Sequence, residues 1–227
     1  MPHAVVTGSS SGIGEAIARR LLASGWRVTG LDRAPPVVAA PAFEAIGVDL
    51  ADEIARARAI EALDDVTAIV HAAGFMRAAA LGLLDEAEGE ALWRLHVGCA
   101  SALANALAPR LPEGGRIVLI GSLSSRGVGG RSQYAATKAA LVALARSWAA
   151  EMLPRRITAN VISPATTATA MLSDPARSAV APVVPPIGRL IRPEEVAALT
   201  AFLLSEEAAA ITGQEIFICG GASLRTA

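Results

Sequence analysis

Tyr134 and Lys138 are the only tyrosine and the only lysine in a chain of 227 residues, and they stand four apart in Ser132-Gln133-Tyr134-Ala135-Ala136-Thr137-Lys138. The remaining basic side chains, three histidines aside, are arginines, which keep a permanent charge and do not readily release a proton. On a helix, positions i and i+4 lie one above the other, so the ammonium can come close to the phenol oxygen. A cation there favours phenolate and draws a reference pKa of about 10 toward the working range of a general acid or base. The plainer use of the pair is a helix-capping tyrosine and a surface lysine on an alanine-rich helix.

Such a pair needs elements to position it and something to act on. Ala4-Val5-Val6-Thr7 is a short apolar run of the kind buried parallel strands show. It leads into Gly8-Ser9-Ser10-Ser11-Gly12-Ile13-Gly14, and Glu15 to Ala23 then carries Ile17, Leu21 and Leu22 at helical spacing until Gly25 stops it. Glycines at G-x-x-x-G-x-G let the backbone turn tightly and approach a pyrophosphate, whose charge faces the N–H groups of the following helix. A second strand, Arg27 to Asp32, ends in a carboxylate 18 positions after Gly14. There it can accept both ribose hydroxyls of an adenosine and repel a 2'-phosphate, favouring NAD(H) over NADP(H). Arg33 pulls the other way, because it could bind that phosphate. An ordinary strand-end turn is the bland reading of Asp32.

Three prolines between Arg33 and Pro41 leave no room for a long crossover helix. Residues 45 to 50 read as a third strand, 52 to 63 as a helix, and Ala68 to Gly74 as a fourth strand ending in small residues. A long helix is expected from Asp85 to Leu111. Strand 116 to 122 closes on the hydroxyl of Ser122, and a glycine-rich loop leads into the Tyr134 helix, expected to run to about Met152 before Pro154. Strand 158 to 164, a helix opening at Pro193-Glu194-Glu195-Val196 and a last strand from Glu215 to Cys219 complete the alternation. It predicts a single α/β domain spanning 1–227, a doubly wound parallel sheet of about seven strands with helices on both faces. A ligand on such a sheet binds outside the carboxyl ends of the strands, where the turns after Thr7, Asp32, Val70, Ile120 and Ser163 all fall. The stretch at about 165–190 is expected to be the substrate loop. From Ala165 to Pro186 its charges are few, Asp174 and Arg177, beside apolar Val180, Val183 and Val184, which suits a small or medium, mainly apolar substrate.

The net charge of -1 argues against nucleic acid or an acidic membrane as main partner. Although 53% of the residues are hydrophobic, no uncharged apolar run reaches membrane-spanning length. The chain enters its first strand at once, leaving no room for a cleavable signal, and Cys99 and Cys219 suggest neither a disulfide framework nor a metal site. The expectation is a cytoplasmic protein with a small-molecule substrate and no metal.

Taken together, these residues resemble the short-chain dehydrogenase/reductase family, and the resemblance covers essentially the whole chain. Thr7 to Gly14 matches its cofactor turn, Asp49-Leu50 its adenine contact, and His71-Ala72-Ala73-Gly74 the place where the family usually has Asn-Asn-Ala-Gly. Ser122, Tyr134 and Lys138 match its catalytic serine, tyrosine and lysine, while Ile187-Gly188-Arg189, Pro193 to Ala197 and Ile211-Thr212-Gly213-Gln214 match its C-terminal pattern. The resemblance implies a Rossmann-like fold and hydride transfer between a nicotinamide and a secondary alcohol or ketone. Tyr134 would transfer the hydroxyl proton, Lys138 would lower its pKa and hold the ribose, and Ser122 would bond the reacting oxygen. It assigns Gly8, Ser10, Ser11, Gly12, Ile13, Gly14, Asp32, Arg33, Asp49, Leu50, Ala72, Ala73, Gly74 and Pro164 to the cofactor, with Thr167 and Thr169 at the nicotinamide carboxamide and Tyr134 and Lys138 at its ribose. It also implies a homotetramer.

Three positions depart from the pattern. His96 stands where the family has a fourth catalytic residue, an asparagine thought to hold a water beside the lysine; an imidazole could also bind water or carry protons, or simply be packed. Pro164-Ala165 replaces Pro-Gly, and His71-Ala72 replaces Asn-Asn. The nearest rival activity is an NADPH-dependent reductase of ketones or 3-oxoacyl thioesters, for which Arg126, Arg131, Arg189 and Arg192 are candidate carrier contacts. A non-catalytic dinucleotide-binding sensor is the reading from outside the enzymes.

Overall fold

The computed structural model describes residues 1–174 and 181–224; Arg177 and Val180 of the expected substrate loop lie outside the described residues. Seven strands form one sheet in the order β3-β2-β1-β4-β5-β6-β7, parallel throughout. They are β1 (His3–Thr7), β2 (Arg27–Asp32), β3 (Phe43–Gly47), β4 (Ala68–His71), β5 (Arg116–Ile120), β6 (Thr158–Pro164) and β7 (Glu215–Ile218). The α-helices among the described residues are α1 (Gly12–Ala23), α2 (Glu53–Glu61), α3 (Glu86–Trp93), α4 (Cys99–Leu107), α5 (Ser132–Met152) and α6 (Pro193–Leu203).

Alternation along the strands builds two cores, one on each face. Val5, Ile117, Leu119 and Val161 pack with α2, α4 and α5 through Ile60, Leu103, Leu107 and Leu141. Ala4, Val6, Val118 and Ile120 pack with α1 and α6 through Ile17, Leu21, Val196 and Leu203. Each large side chain buried in this way contributes about 1.5–3 kcal/mol relative to exposure. The two central strands β1 and β4 meet where the strand order reverses, so a crevice opens above their carboxyl ends.

Several boundaries differ from the sequence reading. β3 stops at Gly47, and Val48 and Leu50 are buried beyond the ladder. β4 ends at His71, β5 at Ile120 and β7 at Ile218. No helix joins β2 to β3, as the prolines require. The long helix is not continuous: a π-turn at Arg94–Gly98 separates α3 from α4, and such insertions concentrate at functional sites. Local caps fix the helix starts. Asp52 accepts from the N–H groups of Ile54 and Ala55, and Asp85 from that of Glu88. No helix among the described residues is long and apolar enough to cross a membrane.

Candidate active site

The strand ends carry the site, and Thr7 is its first hub. Its Oγ1 accepts the N–H groups of Ala72 and Ala73, each at 3.0 Å, which fills both lone pairs. Its own O–H therefore donates to His71 Nδ1, also at 3.0 Å. That assigns His71 the tautomer protonated on Nε2. His71 is buried, and burial first, then the Lys138 charge, pushes its pKa down to about 3. The carbonyls of Leu95 and His96 lie near enough to oppose that shift, but Nε2 has no hydrogen-bond partner among the described residues.

The glycine turn fits a pyrophosphate. Gly8 has φ +71°, and a Cβ there would stand 2.9 Å from Ala73 Cα; one on Gly14 would overlap the Gly8 carbonyl oxygen. Ser11, the N-cap of α1, makes no side-chain capping bond. The helix N-terminus faces the cavity with its positive end. Asp32 is held from both sides: Oδ2 accepts from the Ser10 N–H and Oδ1 from the Ala34 N–H, each at 2.9 Å. The carboxylate is thus pinned at the rim, while Arg33 beside it is exposed.

Across the switch point, α5 presents Tyr134 and Lys138. Lys138 is 5% exposed, and its Nζ donates to the Ile120 carbonyl at 2.9 Å and lies 5.8 Å from the Tyr134 ring centroid. Burial alone lowers its pKa from 10.5 to about 7. Ser122 caps the short 3-10 turn Leu123–Arg126, its Oγ accepting from the Ser124 N–H at 3.1 Å. Its own O–H remains to be donated.

His96 sits in the π-turn and is fully buried. The Phe75 N–H donates to its Nε2 at 3.2 Å, so Nδ1 carries the proton and donates to Thr137 Oγ1 at 2.8 Å. Thr137 in turn donates to the Tyr134 carbonyl at 2.8 Å. The ring also stands edge-on to Tyr134, 5.7 Å between centroids. Its pKa lies well below 6.5, by burial first and then by the charge of Lys138. Both nitrogens are committed, so carrying a proton would require His96 to leave one of these partners.

One cavity of about 1300 Å³ joins these groups. Every residue named from the sequence for catalysis or cofactor lines it, except Ser10 and His96. Ser10 lies instead behind Asp32, against a smaller pocket. Thr169 approaches Gly12, where an added Cβ would meet its Cγ2 at 3.0 Å, and Thr167 Oγ1 donates to the Ala165 carbonyl. Val183, Val184 and Leu224 add apolar side chains to the cavity wall. Of the four arginines considered for a carrier, Arg126 and Arg131 line the cavity, whereas Arg189 and Arg192 pair with Glu195. Among the described residues no group of histidine, cysteine and carboxylate side chains could hold a metal ion.

Sequence reasoning missed Thr7 as a hub, Arg77 and Glu215. Arg77 stacks on Phe75 at 4.6 Å and pairs with Glu88 and Asp174, tying the segment that ends at Asp174 to α3. Glu215 accepts two serine hydroxyls. The available signal was an acidic residue heading an otherwise apolar strand.

Comparison with known proteins agrees with this fold. A model of the family described as enoyl-(acyl carrier protein) reductase matches residues 8–223. The chain is 35% identical over 234 residues to the 3-oxoacyl-[acyl-carrier-protein] reductase FabG of Escherichia coli, covering 96% of each. It shares its fold with a short chain dehydrogenase family protein from Francisella tularensis, with TM-score 0.91, 23% identity and coverage of 99% of this chain and 100% of that one. It also matches 3-ketoacyl-(acyl-carrier-protein) reductase from Brucella melitensis complexed with NADH, with TM-score 0.88, 27% identity and 98% of both chains covered. The class is therefore that of oxidoreductases built around a bound nicotinamide dinucleotide. Within it, the chain belongs to the short-chain dehydrogenase/reductase family.

Proposed function

We propose that the protein interconverts a ketone and a secondary alcohol with NAD(H), and that the ketone it takes is a 3-oxoacyl thioester. The observation that carries this reading is that Ser122, Tyr134 and Lys138 line the same cavity as the glycine turn and Asp32. The nicotinamide, when bound, supplies or accepts the hydride. The chain's own residues orient and move the proton. Ser122 donates its free O–H to the substrate oxygen. Tyr134 gives that oxygen its proton in reduction and removes it in oxidation. Lys138, with a pKa of about 7, exchanges protons with the phenol near neutrality, where a general acid–base group works best. His96 acts by holding Phe75 and Thr137 in place rather than by carrying the proton itself.

The pinned Asp32 supports NAD(H), since its fixed negative charge repels a 2'-phosphate. The thioester is supported by the names of the E. coli and Brucella relatives and by the apolar side chains of Val183, Val184 and Leu224 on the cavity wall. Exposed Arg33 favours a second reading, NADP(H), at the same rim. The test is titration with NADH and NADPH, followed by nicotinamide fluorescence, and then turnover of 3-oxobutanoyl-CoA against a simple methyl ketone. NADH should bind about tenfold tighter or more, and Asp32→Ala should erase the preference. NADPH preference would give the site to Arg33. Binding of neither would remove the enzymatic reading, and turnover of the ketone alone would remove the thioester.

A further inference from the structure

β7 reaches the active site through one carboxylate. Glu215 heads this edge strand, and its Oε1 accepts the Ser125 hydroxyl at 2.6 Å and the Ser163 hydroxyl at 2.7 Å. Both are short, charge-assisted bonds, roughly twice as strong as neutral ones. Ser125 belongs to the 3-10 turn that Ser122 caps. Ser163 is fully buried at the end of β6, one residue before Pro164 on the cavity wall. Two residues along β7, on the same face, Phe217 carries the Arg126 guanidinium 5.3 Å from its ring centroid. Consecutive residues of the Ser122 turn are thus gripped by alternate residues of β7. On the inner side, Gly121 leaves room for Ser163, whose Oγ would stand 2.5 Å from a Cβ at that position. The Ser163 hydroxyl is wedged between the strand end that launches Ser122 and the carboxylate that holds Ser125.

We propose that Glu215 is a positioning residue, whose carboxylate fixes the Ser122 turn and the Ser163–Pro164 strand end in one geometry. The substrate-oxygen donor and the nicotinamide-side wall then keep their spacing as a unit. The inference rests on the assignment of Ser122 made above. Letting the turn drift by about 1 Å is enough to cost about 100-fold in rate, although Glu215 itself touches neither substrate nor cofactor in this scheme.

The experiment compares wild type with Ser122→Ala, Glu215→Ala, Glu215→Gln, Ser125→Ala and the Glu215→Ala/Ser125→Ala double variant. The readouts are kcat and KM with 3-oxobutanoyl-CoA and NADH, NADH affinity by fluorescence, and amide hydrogen exchange over residues 123–127. Glu215→Ala should lower kcat by about 10- to 100-fold while leaving NADH affinity within about twofold and accelerating exchange in the turn. The double variant should be no worse than the worse single one, because both remove the same tie. Glu215→Gln keeps an acceptor oxygen and should restore turn protection and most of kcat. Unchanged turn protection in Glu215→Ala, additive losses in the double variant, or a kcat loss matched by lost NADH binding would each overturn the proposal. Retained turnover in Ser122→Ala would refute the Ser122 assignment and this proposal with it. Loss in Ser122→Ala with none in Glu215→Ala would refute this proposal alone.

Discussion

Lys138→Met should make the cofactor-free protein more stable at neutral and acid pH, although it removes the lysine to which the proposed function gives a part in turnover. The wild-type ammonium is taken out of water with one acceptor, the Ile120 carbonyl at 2.9 Å, and burial lowers its pKa from 10.5 to about 7. At about 1.4 kcal/mol per pH unit, that gap corresponds to about 5 kcal/mol of destabilisation below pH 7. Losing the bond strands a buried carbonyl and returns about 1–3 kcal/mol, so the variant should lead by about 2–4 kcal/mol at pH 6.5. For a chain of this length, that is about 4–16 °C in Tm. The pH dependence is the sharper consequence. Between pH 7 and 10.5 the unfolded chain holds a proton on Lys138 that the folded chain has released, so wild-type stability rises with pH relative to the variant. Urea unfolding of both apoproteins at pH 6.5, 8.0 and 9.5 should show the wild type gaining on the variant by about 3 kcal/mol across that range. A difference that stays flat, or that moves further in the variant's favour toward alkaline pH, would refute the buried-ammonium argument.

Tyr134→Phe should abolish nearly all turnover while leaving NADH binding intact; near-normal turnover would remove Tyr134 as the proton donor. His71→Asn should shift acid unfolding to lower pH. The folded pKa of His71 is about 3 against an ordinary 6.5, so its contribution to stability is full above pH 6.5 and is lost as pH falls toward 3. Removing the imidazole removes that loss, and an acid midpoint unchanged or raised would contradict the assignment of a neutral buried ring.

The parts of this protein legible in its sequence are those encoded locally. Strands such as β1 and β5, buried on both faces, show as unbroken apolar runs, and each is followed by the glycine or hydroxyl residue that opens its turn. Tyr134 and Lys138 are legible because helical spacing alone brings them together. Val48 and Leu50 misled the reading of β3 because they are apolar and buried without joining the ladder. The π-turn at Arg94–Gly98 was hidden because one inserted residue barely disturbs an alanine-rich helical period. Glu215 was invisible for a different reason. Its partners lie 90 and 52 residues away in sequence, and only the order of β5, β6 and β7 in the sheet brings them together.

The two histidines that replace the family's asparagines are explained by the same topology. Three nitrogen bases, His71, His96 and Lys138, are buried around one point, close enough that the charge of Lys138 lowers the pKa of both imidazoles. Gly74 lies between two of them: a Cβ there would stand 2.8 Å from His96 Nε2 and 3.6 Å from Lys138 Nζ. A desolvated cluster of this kind does not hold three positive charges. Opposite tautomers resolve the conflict, Thr7 fixing the proton on Nε2 of His71 and Phe75 fixing it on Nδ1 of His96. Both rings are then neutral throughout the pH range in which Lys138 titrates. The two substitutions thereby leave Lys138 as the single one of these three groups that changes charge near neutrality.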